Sequence, residues 1–178
     1  MVNLRLTYSK TGLIRFTSHL DMMRAFTRAF SRSRLPVYFT EGFNPHPYII
    51  LGLPLPLGFE SLCDICDFRI SENLPGEEVI SRLQNALPEG IQILKLCENP
   101  APLKNIASAR YKTVVEGQFC AEQIAAVKEL FLKGELITVK KGKRGEKEVD
   151  IRPLIREIEI EGNDTALEID SLVAAGSA

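Results

Sequence analysis

The stretch IRFTSHLDMMRAFTRAFSRSRLPVYFTEGFNPHPYIILGLPLPLG, residues 14–58, decides how this chain folds. It holds both histidines, His19 and His46, and reads as one amphipathic helix followed by two proline-stiffened loops. Ser18-His19-Leu20-Asp21 has the spacing of a capping box: the serine hydroxyl can accept from the amide at Asp21, and the aspartate can reach back. An acid in the first turn also suits the positive end of the helix dipole. From there to about residue 34 the period is helical. Met22, Met23, Phe26, Ala29 and Phe30 fall on one arc. Arg24, Arg28 and Arg32 stack at i, i+4 and i+8 along the other side, with only Asp21 as an acidic neighbour on the helix. Such a row is either a solvated face or a phosphate-binding stripe, because the guanidinium fork matches phosphate oxygens.

The segment TEGFNPHP, residues 40–47, sets His46 between two prolines, each of which fixes its own backbone and restricts the residue before it. A second stiff segment, GLPLPLG at 52–58, follows at once. These loops read either as structural crossovers at a sheet edge or as a rigid rim that positions a ligand or partner.

Working outward, residues 3–8 (NLRLTY) alternate as a strand, 35–40 read as a second strand opened by Pro36, and 62–71 as a third. Pro75 and the acids after it start a helix whose apolar side is Val79, Ile80, Leu83, Ala86 and Leu87, and 91–96 is a fourth strand. The order β-α-β-β-α-β is that of a ferredoxin-like unit. After Asn99-Pro100-Ala101-Pro102 the pattern restarts: strand 111–117, helix 121–132, strands 136–140 and 148–151 around a basic turn, then 155–160 and 166–169. The expected architecture is α+β, two tandem ferredoxin-like units at 1–98 and 99–178, the second incomplete.

The totals bound the function. With 45% apolar and 25% charged residues in 178, the composition is that of a globular chain with a proper core. A net charge of −1 leaves no whole-chain attraction for nucleic acid. Residues 1–50, however, carry seven cations (Arg5, Lys10, Arg15, Arg24, Arg28, Arg32, Arg34) against Asp21 and Glu41, a local basic excess. The turn at 140–147 is a second basic cluster, with Lys141, Lys143 and Arg144 at its tip. No signal-peptide pattern or membrane-spanning stretch is read, so a cytoplasmic protein without disulfides is expected. Cys63-Asp64-Ile65-Cys66 has no second pair at zinc spacing, and on a strand residues three apart face opposite ways, so no metal site is assigned. No cofactor motif is read.

The residues Arg15-Phe16-x-Ser18-His19-Leu20-Asp21, the Arg28 region, Leu35-Pro36, the 41–47 and 53–58 segments, and the later Asp150-Ile151-Arg152-Pro153-Leu154 together resemble the radical SAM-linked protein family of bacteria. In that family the domain stands beside, or is fused to, a B12-binding-type radical SAM protein. The resemblance implies a radical SAM protein as partner, one that acts on RNA; it carries no established activity. The sequence departs from the family at 63–66, where an acid is expected in place of the cysteines. The duplicated plan also resembles the CRISPR repeat-processing endoribonucleases, an analogy of fold alone.

Three functions are therefore expected in competition. The first is a non-catalytic RNA-binding or substrate-presenting subunit, with Arg15, Arg24, Arg28, Arg32, Asn44, Lys141, Lys143 and Arg144 on the backbone and Phe43 and Tyr48 stacking on bases. The second is a metal-independent endoribonuclease with His19 and His46 as acid and base at a 2′-OH. The third is a structural latch in which the SHLD and GFNPHP residues bond to one another.

Overall fold

The computed structural model describes residues 1–142 and 145–175. The chain is mixed α+β and divides into two compact units, Met1–Leu103 and Lys104–Ala178. In the first, β1 (Val2–Lys10), α1 (His19–Ser33), β2 (Ile49–Leu51), β3 (Ser61–Ile70), α2 (Gly76–Gln84) and β4 (Ile91–Glu98) follow in order. The strands form one antiparallel sheet in the order β2-β3-β1-β4.

Alternation builds this sheet. On β1 the even positions Leu4, Leu6 and Tyr8 are buried, and on β3 Cys66, Phe68 and Ile70 are, because successive side chains point to opposite faces. The two helices cover that face with Met22, Phe26, Ala29 and Phe30 from α1 and Val79 and Leu83 from α2. A row of rings runs through the layer: Tyr8 lies 5.1 Å from Phe26, Phe26 lies 6.5 Å from Phe30, and Phe30 lies 4.8 Å from Phe68. Cys63 is exposed and Cys66 buried, on opposite faces of β3 as their spacing requires, and both thiols are free.

The strand expected at 35–40 is reduced to two isolated bridges, Val37 to Ile70 and Phe39 to Pro47. The edge strand β2 comes later and is short. Pro36, Pro45 and Pro47 carry no amide donor, so this run cannot hold a continuous ladder.

The second unit contains β5 (Ser108–Glu116), α3 (Ala121–Leu132), β6 (Ile137–Gly142), β7 (Gly145–Asp150), β8 (Ile155–Gly162) and β9 (Ala166–Ala174). Its sheets are β5-β9-β8 and the hairpin β6-β7. Where the repeat calls for a second helix, the chain makes only the single turn Arg152–Leu154, because Pro153 starts a turn that the alternating Ile158 and Ile160 at once convert to a strand. Among the described residues of this unit, Leu167 alone is fully buried. No helix in the described residues is long and apolar enough to cross a membrane.

Candidate functional site

Helix α1 begins as its sequence demands. The Ser18 hydroxyl accepts from the Asp21 amide at 3.2 Å and donates to the Asp21 carboxylate at 2.7 Å, so the return bond runs between side chains rather than to the Ser18 amide. Bonds from Ser18 and then Arg24 hold the Asp21 carboxyl below the usual carboxylate range. The three stripe arginines are all exposed, opposite the buried side of the helix, but they are not equivalent. Arg24 pairs with Asp21 at 2.9 Å, and Arg32 donates to the carbonyl of Ala86 at 2.6 Å, just past α2. Arg28 has no hydrogen bond or ion pair among the described residues. Arg15 pairs with Glu60 at 3.4 Å and lies over the Phe16 ring at 4.9 Å.

The 40–47 loop closes on itself. Thr40 donates its amide to the His46 carbonyl at 2.8 Å, and the His46 amide donates to the Thr40 hydroxyl at 3.2 Å. The His46 Nδ1 lies 3.0 Å from the Asn44 carbonyl and 3.1 Å from the Thr40 hydroxyl. A carbonyl only accepts, so the Asn44 contact places a proton on Nδ1. Phe43 at the tip is fully exposed. Among the described residues no hydrogen bond joins His46 to the SHLD segment, so the bonds of the expected latch are not formed. In the hairpin, Lys141 faces Glu146 and pairs with it at 3.0 Å. Lys143 and Arg144 lie outside the described residues.

His19 instead belongs to a crevice lined by Tyr8, Lys10 and Asp64, with Leu53, Pro54 and Leu55 of the second proline segment along its rim. Tyr8 and Asp64 are direct cross-strand partners on β1 and β3. Lys10 is 2% exposed and Asp64 9%. The Lys10 ammonium makes one long bond, 3.4 Å to the Thr17 carbonyl, and among the described residues forms no ion pair with the Asp64 carboxylate. Burial pushes the Asp64 carboxyl above its ordinary range, opposed by the Ile65 amide, Tyr8, Lys10 and His19. Burial pushes Lys10 down, against the Asp64 charge. The Tyr8 phenol is driven far up by burial and then by Asp64.

These groups were missed among the expected site residues, yet the sequence held their signal. Lys10 continues the even-numbered core row Leu4, Leu6, Tyr8, and Asp64 opens the row Cys66, Phe68, Ile70. A charge standing at a core-facing position of an alternating strand is the mark of a polar site at the end of a core. Among the described residues no three of histidine, cysteine, aspartate and glutamate converge as metal ligands.

Residues 3–178 match a family model described as an uncharacterized protein conserved in bacteria. No curated protein matches the chain.

Proposed function

Because the chain belongs to this bacterial family, DUF2344, we propose a function drawn from its geometry: a non-catalytic RNA-binding or substrate-presenting subunit that works with a radical SAM enzyme. One observation carries the RNA part. The exposed side of α1 presents three guanidinium groups one turn apart, and of these only Arg24 is matched by an acid. Arg28 makes no hydrogen bond or ion pair among the described residues and feels Asp21 only at a distance, which leaves its guanidinium open to a backbone phosphate. The exposed Phe43 ring at the tip of a proline-stiffened loop supports base stacking. The radical SAM partner rests on the motif resemblance of residues 14–58. The β-α-β-β-α-β order and β2-β3-β1-β4 pairing support reading the first unit as ferredoxin-like, and the single helix of the second supports an incomplete copy.

The test is the salt dependence of single-stranded RNA binding. Affinity is expected to fall linearly on a log–log plot, and Arg28→Ala to flatten the slope by about 0.7, the loss of one phosphate contact on a single strand. A slope unchanged by Arg28→Ala, or binding insensitive to salt, would remove the stripe from the proposal. Recovery of the native chain with a radical SAM protein attached tests the partner.

A second, catalytic reading is favoured by the crevice alone. It keeps His19 as acid or base, partnered by His46 as the sequence suggests or by Lys10 and Asp64, which line the same crevice.

A further inference from the structure

The face of the first sheet turned away from the helices carries a different arrangement. On β3, Asp67 and Arg69 stand two residues apart on this outer face. Asp67 is fully engaged by Arg5 of the adjacent β1, whose Nε and Nη2 reach its two carboxylate oxygens at 2.5 and 2.8 Å. Arg5 is further fixed by the Ala101 carbonyl at 2.8 Å. Arg69 is thus left without the acid nearest to it in sequence.

Its guanidinium lies over the Tyr48 ring, 4.1 Å from the centroid. Among the described residues it makes no hydrogen bond or ion pair, and its Nε is sealed from water without an acceptor. A buried donor left unmade is costly, and a charged one more so. The cation–π contact steadies the group from one side and supplies no acceptor for its hydrogens.

Arg69 lines a groove of about 460 Å³ with Asn3, Tyr48, Ile50, Asn99 and Leu103. That volume falls in the range of small-molecule sites. Neither asparagine amide has a side-chain bond among the described residues, so both can donate and accept there. Asn99 is held in place by its left-handed backbone, φ 45°, and by its amide bond to the Asn3 carbonyl at 2.9 Å. Asn3 stands directly across from Arg69 in the β1–β3 register and Asn99 is bonded to Asn3, so the groove sets a guanidinium beside two free side-chain amides and apolar walls.

We infer that this groove binds one nucleotide, its phosphate on the Nη edge of the unpaired Arg69 guanidinium and its base edge on the Asn3 and Asn99 amides. An oxyanion with coplanar oxygens suits the fork, and a base edge presents the adjacent donor and acceptor that an asparagine amide matches. The inference stands apart from the α1 stripe, which lies on the helical side of the same sheet.

The experiment is calorimetric titration of the full chain with AMP, GMP, CMP and UMP, with the nucleoside of the tightest-binding of these and with inorganic phosphate. At least one nucleoside monophosphate is expected to bind, and its nucleoside at least tenfold more weakly. Arg69→Met should weaken that nucleotide at least tenfold, with Arg69→Lys recovering part of the loss. Asn3→Ala should weaken the nucleotide and leave inorganic phosphate unchanged. Melting temperatures of each variant check that the fold is kept, and Asn3, being exposed, gives a readout even if Arg69→Met unfolds. Phosphate binding as tightly as every nucleotide would overturn the base contact, and no binding of any of the six would overturn the site. Competition of the bound nucleotide by single-stranded RNA separates a strand subsite from a site for free nucleotide. RNA binding that persists in Arg69→Met but fails in Arg28→Ala would leave the stripe standing without the groove.

Discussion

Replacing Phe26 with alanine will lower the stability of the first unit by about 3–5 kcal/mol, the usual cost of removing a buried phenylalanine ring. Phe26 is completely buried at the centre of α1, with Tyr8 of β1 at 5.1 Å and Phe30 at 6.5 Å. The ring fills the space between helix and sheet that neither neighbour can close, since Tyr8 is held on the central strand β1 and Phe30 by its contact with Phe68. The loss therefore includes a cavity and not only the transfer of the ring. Urea unfolding followed by tyrosine fluorescence reads it, because Tyr8, Tyr38 and Tyr48 all lie in this unit. Arg28→Ala, two residues along on the exposed side, is expected to stay within about 0.5 kcal/mol. A cost for Phe26→Ala below about 1 kcal/mol would mean that the ring row is not packed as described.

Why α1 could be read from sequence, and much of its surroundings could not, follows from the range of the interactions. The capping serine, the arc of Met22, Phe26, Ala29 and Phe30, and the i, i+4, i+8 arginines are all set within one turn or two of helix, so spacing alone places them. Apart from Asp21 beside Arg24, the partners of the N-terminal arginines are not local. Glu60 reaches Arg15 from 45 residues away and Ala86 reaches Arg32 from 54, so a count of charges over residues 1–50 overstates how many cations remain unmatched. Strand 35–40 was expected on β-rich composition, but composition cannot weigh the amides that Pro36, Pro45 and Pro47 lack. The second unit shows a third limit. Its helix at Ala121–Leu132 falls where periodicity puts it. The element after Pro153, by contrast, is decided by Ile155–Gly162 pairing as a hairpin with the next strand, β9, where a strict repeat of the first unit would place a helix. Lys10 and Asp64 were legible in principle, from the parity of their strands, and were passed over because a charged residue near a turn reads as solvent-facing unless its register is followed to the end.

That parity leads to the second large effect, expected from Lys10→Met. Asp64 sits where burial raises its carboxyl, while the Ile65 amide, the Tyr8 hydroxyl, the Lys10 charge and the His19 imidazole pull it down. A carboxyl whose folded value is raised binds more protons in the folded chain than in the unfolded one. Stability then falls as pH rises from the ordinary carboxylate range up through the folded value of Asp64. Taking away the Lys10 ammonium removes one of the groups that favours the carboxylate, so the upper edge of that window moves to higher pH and more stability is lost by neutrality. The added loss is on the order of 1–3 kcal/mol, the cost of leaving a buried polar group without compensation. Lys10 itself gives the opposite slope at the alkaline end. Its folded value is lowered, so the unfolded chain binds more protons there and the native protein gains stability as pH rises. Lys10→Met abolishes that gain, while Asp64→Asn abolishes the fall on the acidic side. Melting temperature measured from pH 4 to 10 on the native chain and the two variants separates the slopes. Superposable profiles for the native chain and Lys10→Met would show that ammonium and carboxylate do not feel one another across the crevice. A shifted acidic limb would show that they do, and that the polar end of this core is held as one electrostatic unit beneath His19.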